Sequence, residues 1–233
     1  MMQNLQTDDI KQVLQIHPIH TLFSFPIEPF LSVQTFRRGD MIIHEGDTPD
    51  YLYYVLEGRA KIFTTQPNGK VALLNFITTG AFIGELELLQ DATYSKGVQA
   101  LTDLQCFAIS IQQVKSLLLQ DAHFLRLLCA YLSRKATMHS SRFAQGLSFP
   151  LENRLAEFIL ISSHEGIYKE KHTEVCEYLG VSYRHLLHVF AHFIKQKKLS
   201  KQGRTYIIED ATALQKMATV THHLDVSLLD LVD

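Results

Sequence analysis

The sequence predicts an α+β chain: a β-roll, then a long helix, then a small C-terminal helix-turn-helix domain. Three observations carry this. Between about residues 30 and 110, short β-rich runs alternate with glycine turns. From Ile111 the apolar period changes to steps of three and four. Residues 172–194 hold two short helical patterns joined at a glycine.

Thr7-Asp8-Asp9 ahead of Ile10, Val13 and Leu14 predicts a capped, amphipathic first helix. The β-rich region reads SVQTF, MIIHEG, YLYYVLEG, AKIFTTQ, VALLNFI and LQCFAIS. Turns fall at Arg38-Gly39-Asp40, Glu45-Gly46-Asp47, Glu57-Gly58, Asn68-Gly69 and Thr79-Gly80. In IFTTQPNGKVALLNF (62–76), Asn-Gly supplies the positive φ angles of a type I′ turn and predicts a hairpin. Regularly spaced short strands predict a sandwich or β-roll.

From Ile111 to about Phe143 the pattern is helical, with a break near Asp121. Leu125, Leu128, Leu132, Ala136, His139 and Phe143 make a stripe, opposite Arg126, Ser133, Arg134 and Ser141. The stripe either packs within one chain or faces an identical helix across a dimer seam. GLSFP at 146–150 ends this helix and places a hinge there. Leu151–Ser162 is helical again. The resulting division is a roll domain at 1–120, a long helix and hinge at 121–146, and a C-terminal domain at 147–233.

In HTEVCEYLGVSYRHLLHVFAHFI (172–194), Val175 and Leu179 form one apolar face, Gly180 turns the chain, and Val181 fills the turn. Ser182 can cap the next helix, whose inward positions are Leu186, Val189, Phe190 and Phe193. Tyr183, Arg184, His185 and His188 then point outward, and an arginine can fork onto guanine O6 and N7. Residues 172–206 carry six Lys/Arg against two Glu in a chain of net charge −2. A local basic patch of this kind suits a phosphate surface, although single lysines are ordinary solvated side chains. KQGRTYIIE predicts a hairpin turning at Gln202-Gly203, a wing that carries Lys201 and Arg204.

At 233 residues and 46% hydrophobic, the chain can bury proper cores. Cys106, Cys129 and Cys176 are odd in number and far apart, which fits a reduced, cytoplasmic chain. Cys106 and Cys129 sit in apolar runs as packing residues, and Cys176 reads as structural. The polar N-terminus has no apolar signal region, and no stretch reaches the ~18 apolar residues of a membrane span. His185, His188 and His192 share one helical face, but no Cys, Asp or Glu joins them at that spacing, so no metal is expected. His17, His20, His222 and His223 are too isolated for a site. A cupin-like metal-binding protein would need clustered ligands, and the roll offers His44 with scattered acids. No catalytic constellation is found, and the chain is not expected to be an enzyme.

FRRGDMIIHEGD, LYYVLEGRAKIF, GAFIGELELL and EVCEYLGVSYRHLLHVF, in that order, resemble the CRP/FNR family of bacterial transcription regulators. The resemblance covers about residues 20–210, and GVSYRHLLHVFAHF is most similar to the YeiL subgroup. It implies a cyclic-nucleotide-binding-type β-roll (a double-stranded jelly roll), a long dimerisation helix and a winged helix-turn-helix. A homodimer would bind a palindromic operator on double-stranded DNA, and would contact RNA polymerase if it is an activator. The implied DNA-binding residues are Thr173, Ser182, Tyr183, Arg184, His185, His188, Lys201 and Arg204. The candidate effector residues are Gly84, Glu85, Leu86, Ser95, Lys96 and Ser140.

Two departures bear on function. Cyclic-nucleotide-binding relatives place Arg-Ser or Arg-Thr about ten residues after Gly-Glu-Leu, where this chain has Ser95-Lys96. A lysine lacks the planar fork that grips a phosphate, so tight cAMP binding is not expected. The pocket either takes an unidentified effector or is filled by side chains such as Phe82 and Tyr94. In the recognition helix, Arg184 and His188 stand where relatives have Glu and Arg, so the TGTGA-type half-site is not expected. No cysteine precedes Cys106, so an FNR-type iron–sulfur cluster is not expected either; a different cluster shared across subunits stays open. Leu224, Leu228, Leu229 and Leu231 suggest a short helix in the tail 221–233.

Overall fold

The computed structural model describes residues 7–67, 69, 71–90, 95–163 and 166–218. Among the described residues the chain divides into two compact units, one of residues 7–69 and 74–136, the other of residues 71–73 and 137–218. Tyr94 and the tail 221–233 lie outside the described residues.

The first unit opens with α1 (Thr7–Ile16) and two single 3-10 turns, Ile19–Leu22 and Glu28–Phe30. Strands β1 (Leu31–Phe36), β2 (Met41–Ile43), β3 (Tyr51–Glu57), β4 (Ala60–Thr65), β5 (Val71–Ile77) and β6 (Phe82–Ile83) follow. A one-turn helix α2 (Glu85–Leu89) precedes β7 (Gly97–Ala100) and β8 (Leu104–Ser110), and helices α3 (Ile111–Gln120) and α4 (Ala122–Ser148) come next. Two four-stranded sheets result, ordered β1-β8-β3-β6 and β2-β7-β4-β5. The 62–76 hairpin is present as neighbouring β4 and β5, with Gly69 at φ +77°; Asn68 lies outside the described residues.

YLYYVLE and LQCFAIS read as unbroken apolar runs because both faces of β3 and β8 are covered. Leu52, Tyr54, Leu56, Phe107 and Ile109 join one core with Leu14, Val114, Leu118, Phe124, Leu127, Leu128 and Tyr131 from the helices. The alternate residues Tyr53, Val55, Leu104, Cys106 and Ala108 join a second core with Ile43, Ala60, Ile77 and Val98. Burial pushes both the Tyr53 hydroxyl and the Cys106 thiol well above their ordinary values.

The break at Asp121 has a clear cause. Its carboxylate caps α4 by accepting from the His123 and Phe124 amides at 3.0 and 3.2 Å. It also accepts from the Ser24 amide and hydroxyl at 2.7 and 2.9 Å. Burial would raise the Asp121 carboxyl, but these hydrogen bonds hold it below its ordinary value.

Two expectations about α4 are corrected. Cys129 is exposed, because it follows Leu128 round the helix and turns away from the core. The helix runs through Gly146 to Ser148, and Phe149-Pro150 ends it, since proline disfavours a helical preceding residue. In the predicted stripe Leu128 is buried, Leu125 and Leu132 are half-buried against the core, and Ala136, His139 and Phe143 are exposed.

The second unit continues with α5 (Leu151–Ser162), β9 (Ile167–Tyr168), α6 (His172–Leu179), α7 (Tyr183–Lys195), β10 (Leu199–Gln202), β11 (Thr205–Ile208) and α8 (Ala211–Met217). Its core stacks aromatic rings: Phe190 on Tyr206 at 4.4 Å, with Tyr168 at 5.7 Å from Phe190 and 6.3 Å from Phe158. Helix ends are tied by side chains from α5. Arg154 Nη1 donates to the Leu179 carbonyl at 2.9 Å, and Asn153 Nδ2 donates to that of Met217 at 2.8 Å. The wing is an antiparallel β10–β11 hairpin joined to β9, turning at Gly203-Arg204, one residue later than expected.

Candidate functional site

The first candidate surface is the turn that opens α2. Gly84 sits at φ +92°, and a Cβ there would lie 3.0 Å from the Tyr51 carbonyl. Both the dihedral and the close strand require glycine at this point. The turn delivers Glu85 into a buried position, where its Oε1 meets Lys135 Nζ of α4 at 2.6 Å. The same ammonium lies 5.1 Å from the centre of the Tyr131 ring. The Tyr131 hydroxyl in turn accepts from the Phe82 amide at 3.2 Å. Burial raises the Glu87 carboxyl above its ordinary value; Glu85 adds to the rise and Lys135 opposes it. Leu86 is exposed.

Ser95, a candidate effector residue, is fully buried. Its hydroxyl donates to the Asp47 carbonyl and, at 3.3 Å, to that of His44. Gly46 N–H donates to the Ser95 carbonyl at 3.0 Å, so Ser95 stitches the 44–47 turn to the approach to β7. Lys96 Nζ reaches Thr64 Oγ1 at 3.4 Å, and that hydroxyl donates to Glu45. The Thr64 hydrogen bond, with two from the Thr65 amide, holds Glu45 below its ordinary carboxylate value. Ser140 lies beyond Ala136, in the second unit, and is exposed. Sequence reasoning missed Lys135; its position one turn beyond buried Tyr131 was the available signal.

The second candidate surface is carried by α6, α7 and the wing. Gly180 adopts φ +66° as the cap of α6, and Val181 N–H closes the turn on the Cys176 carbonyl at 3.0 Å. Ser182 Oγ accepts from the His185 amide at 3.2 Å and caps α7. Leu186, Val189, Phe190 and Phe193 are buried. All the predicted contact residues are exposed: Thr173 on α6, Ser182, Tyr183, Arg184, His185 and His188 at and along α7, and Lys201 and Arg204 on the wing. Exposed His192 lies 2.7 Å from the Gln196 side chain, and among the described residues no three His, Cys, Asp or Glu converge on a metal position. His172 is stacked on Phe190 at 4.8 Å and lies 6.0 Å from the Tyr183 ring. Burial, and then the Lys201 charge, lower its imidazole below the ordinary value.

A two-sheet roll, a long helix and a winged helix-turn-helix together define the architecture of a class of bacterial transcription regulators. Residues 33–121 match the cyclic nucleotide-binding domain family. The chain is 43% identical over 183 residues to Regulatory protein YeiL of Escherichia coli O157:H7, spanning 78% of this chain and 84% of that one. It is 23% identical over 195 residues to the cAMP-activated global transcriptional regulator CRP of Escherichia coli O6:H1, spanning 78% and 93%. In fold it matches a CRP/FNR-family regulator from Thermus thermophilus, with TM-score 0.69 and 21% identity over 82% of this chain and all of that one. The chain belongs to the CRP/FNR family of transcription regulators.

Proposed function

We propose that this protein is a homodimeric, sequence-specific DNA-binding regulator whose operator affinity is not set by cyclic AMP. The DNA-binding half rests on one observation: α7, capped by Ser182, exposes Tyr183, Arg184, His185 and His188 beside the Lys201 and Arg204 wing. Arg184 suits a guanine edge, and the wing cations suit phosphates. A dimer would place two such helices at half-sites about one DNA turn apart.

Cyclic AMP is disfavoured by the charges around the Gly84 turn. Beside the turn, Glu85 and Glu87 face one ammonium, Lys135, and on the Lys96 side of Ser95 the nearby acid is Glu45, held by Thr64 and Thr65. No guanidinium stands at Ser95, whose hydroxyl serves the 44–47 turn. A cyclic phosphate would therefore meet neither a fork nor a surplus of positive charge. A second reading, an effector-independent regulator, is favoured by the Glu85–Lys135 pair. The chain's own helix α4 supplies a partner for the Glu85 carboxylate, a candidate effector residue.

Binding selection on random duplexes, followed by affinity measured against salt, tests the reading. A palindromic motif with a steep salt dependence is expected. Failure to enrich any sequence would contradict the proposal.

A further inference from the structure

Helix α7 exposes a side chain that neither the charge pattern nor the family resemblance accounts for. Leu187 is 39% exposed, and Tyr183, one helical turn before it, is 51% exposed. Ala191 follows one turn later and is also exposed. Positions four apart on a helix stack in a row that drifts by only about 40° per step, so Tyr183, Leu187 and Ala191 form one ridge. Arg184, His188 and His192 form the neighbouring ridge, and all three are exposed. The helix thus carries an apolar row and a polar row side by side, with the core residues Leu186, Val189, Phe190 and Phe193 on another face.

A single exposed leucine is ordinary on a protein surface. Here, however, the leucine lies between Tyr183 and Arg184 on the helix surface, flanked by a polar ridge and close in sequence to Lys195, Lys197, Lys198 and Lys201. These surroundings favour a polyanionic partner rather than an apolar protein groove. Leucine has no hydrogen-bonding group, so toward a base edge it can read one feature only: the C5 methyl group of thymine in the major groove. The Tyr183 ring, at the start of the apolar row, lies with its centre 6.0 Å from that of the His172 ring.

We propose that Leu187, backed by Tyr183, reads a thymine methyl group at a step beside the base pair contacted by Arg184. Leu187 is then a specificity-determining residue of the recognition helix. This rests on the DNA-binding reading above and adds the base class that the apolar row selects.

The test uses the full-length protein and the duplex returned by binding selection. Each selected thymine is replaced in turn by deoxyuridine, which removes only the methyl group. One position per half-site should lose affinity roughly three- to five-fold for the native chain, the scale expected for one buried methyl. Leu187→Ala should bind the parent duplex more weakly and show no further loss on that replacement. Circular dichroism and thermal melting check that this exposed substitution leaves the fold intact. Native protein insensitive to deoxyuridine at every position, or equal sensitivity in Leu187→Ala, overturns the thymine assignment while leaving DNA binding standing. Absence of any selected sequence overturns both.

Discussion

Lys135 Nζ lies 2.6 Å from Glu85 Oε1 and joins the one-turn helix α2 to the long helix α4. The Glu85 side chain is 6% exposed and that of Lys135 19%, so neither charge is fully hydrated. Removing the lysine should leave a buried carboxylate poorly compensated. Lys135→Met should therefore cost on the order of 1–3 kcal/mol, less than for a fully dry pair because solvent still screens the ammonium. The double variant Glu85→Gln/Lys135→Met should recover part of that loss in urea denaturation. Strictly additive losses would show that the two groups do not interact.

Ser182 supports α7 through one hydrogen bond, from the His185 amide to its hydroxyl. Ser182→Ala should cost about 1 kcal/mol of stability. Ser182→Asp should retain most of the cap, and thermal melting distinguishes the two. Equal melting of the native chain and Ser182→Ala would deny the cap a role.

Much of this arrangement was legible in the sequence. Gly180, Ser182 and the 186/189/190/193 core positions announce a helix-turn-helix because cap, turn and period agree in one short window. The six strand runs were visible as β-branched and aromatic stretches. The two-residue β6 and β9 and the four-residue β7 were not, because they are too short to show a period. Cys129 misled because apolar neighbours do not say which way a helical residue points. The Glu85–Lys135 pair was hidden for a different reason: fifty residues separate its members, and only the packing of α4 on the roll brings them together.

His172 gives the second unit a pH dependence. Its folded pKa is lowered from the ordinary 6.5, chiefly by burial and then by Lys201. Phe190, Tyr183 and Tyr206 are the rings packed around it. The unfolded state therefore binds a proton first as pH falls, so this stability is fully present above pH 6.5 and declines below it. The melting temperature of His172→Phe should fall less than that of the native chain between about pH 7 and pH 5.5. Parallel pH profiles would contradict the assignment.

Lys197 holds φ +57° at the end of α7, the sole non-glycine residue with positive φ among those described. Its amide donates to the Ile194 carbonyl at 2.9 Å, and the Lys198 amide donates to that of Phe193 at 3.0 Å. This is a Schellman ending, a position that glycine occupies without strain. Lys197→Gly should stabilise the chain by roughly 1 kcal/mol, read as a higher denaturation midpoint. A lower midpoint would show that the lysine side chain contributes more than its backbone costs.

We propose that the Gly84–Leu86 turn survives in a protein that cyclic AMP does not control. Fluorescence anisotropy of the selected operator, titrated with full-length protein with and without millimolar cyclic AMP, tests it directly. The same dissociation constant is expected in both, within about two-fold. A tightening of tenfold or more, within the usual allosteric range of about 5–150-fold, would contradict it.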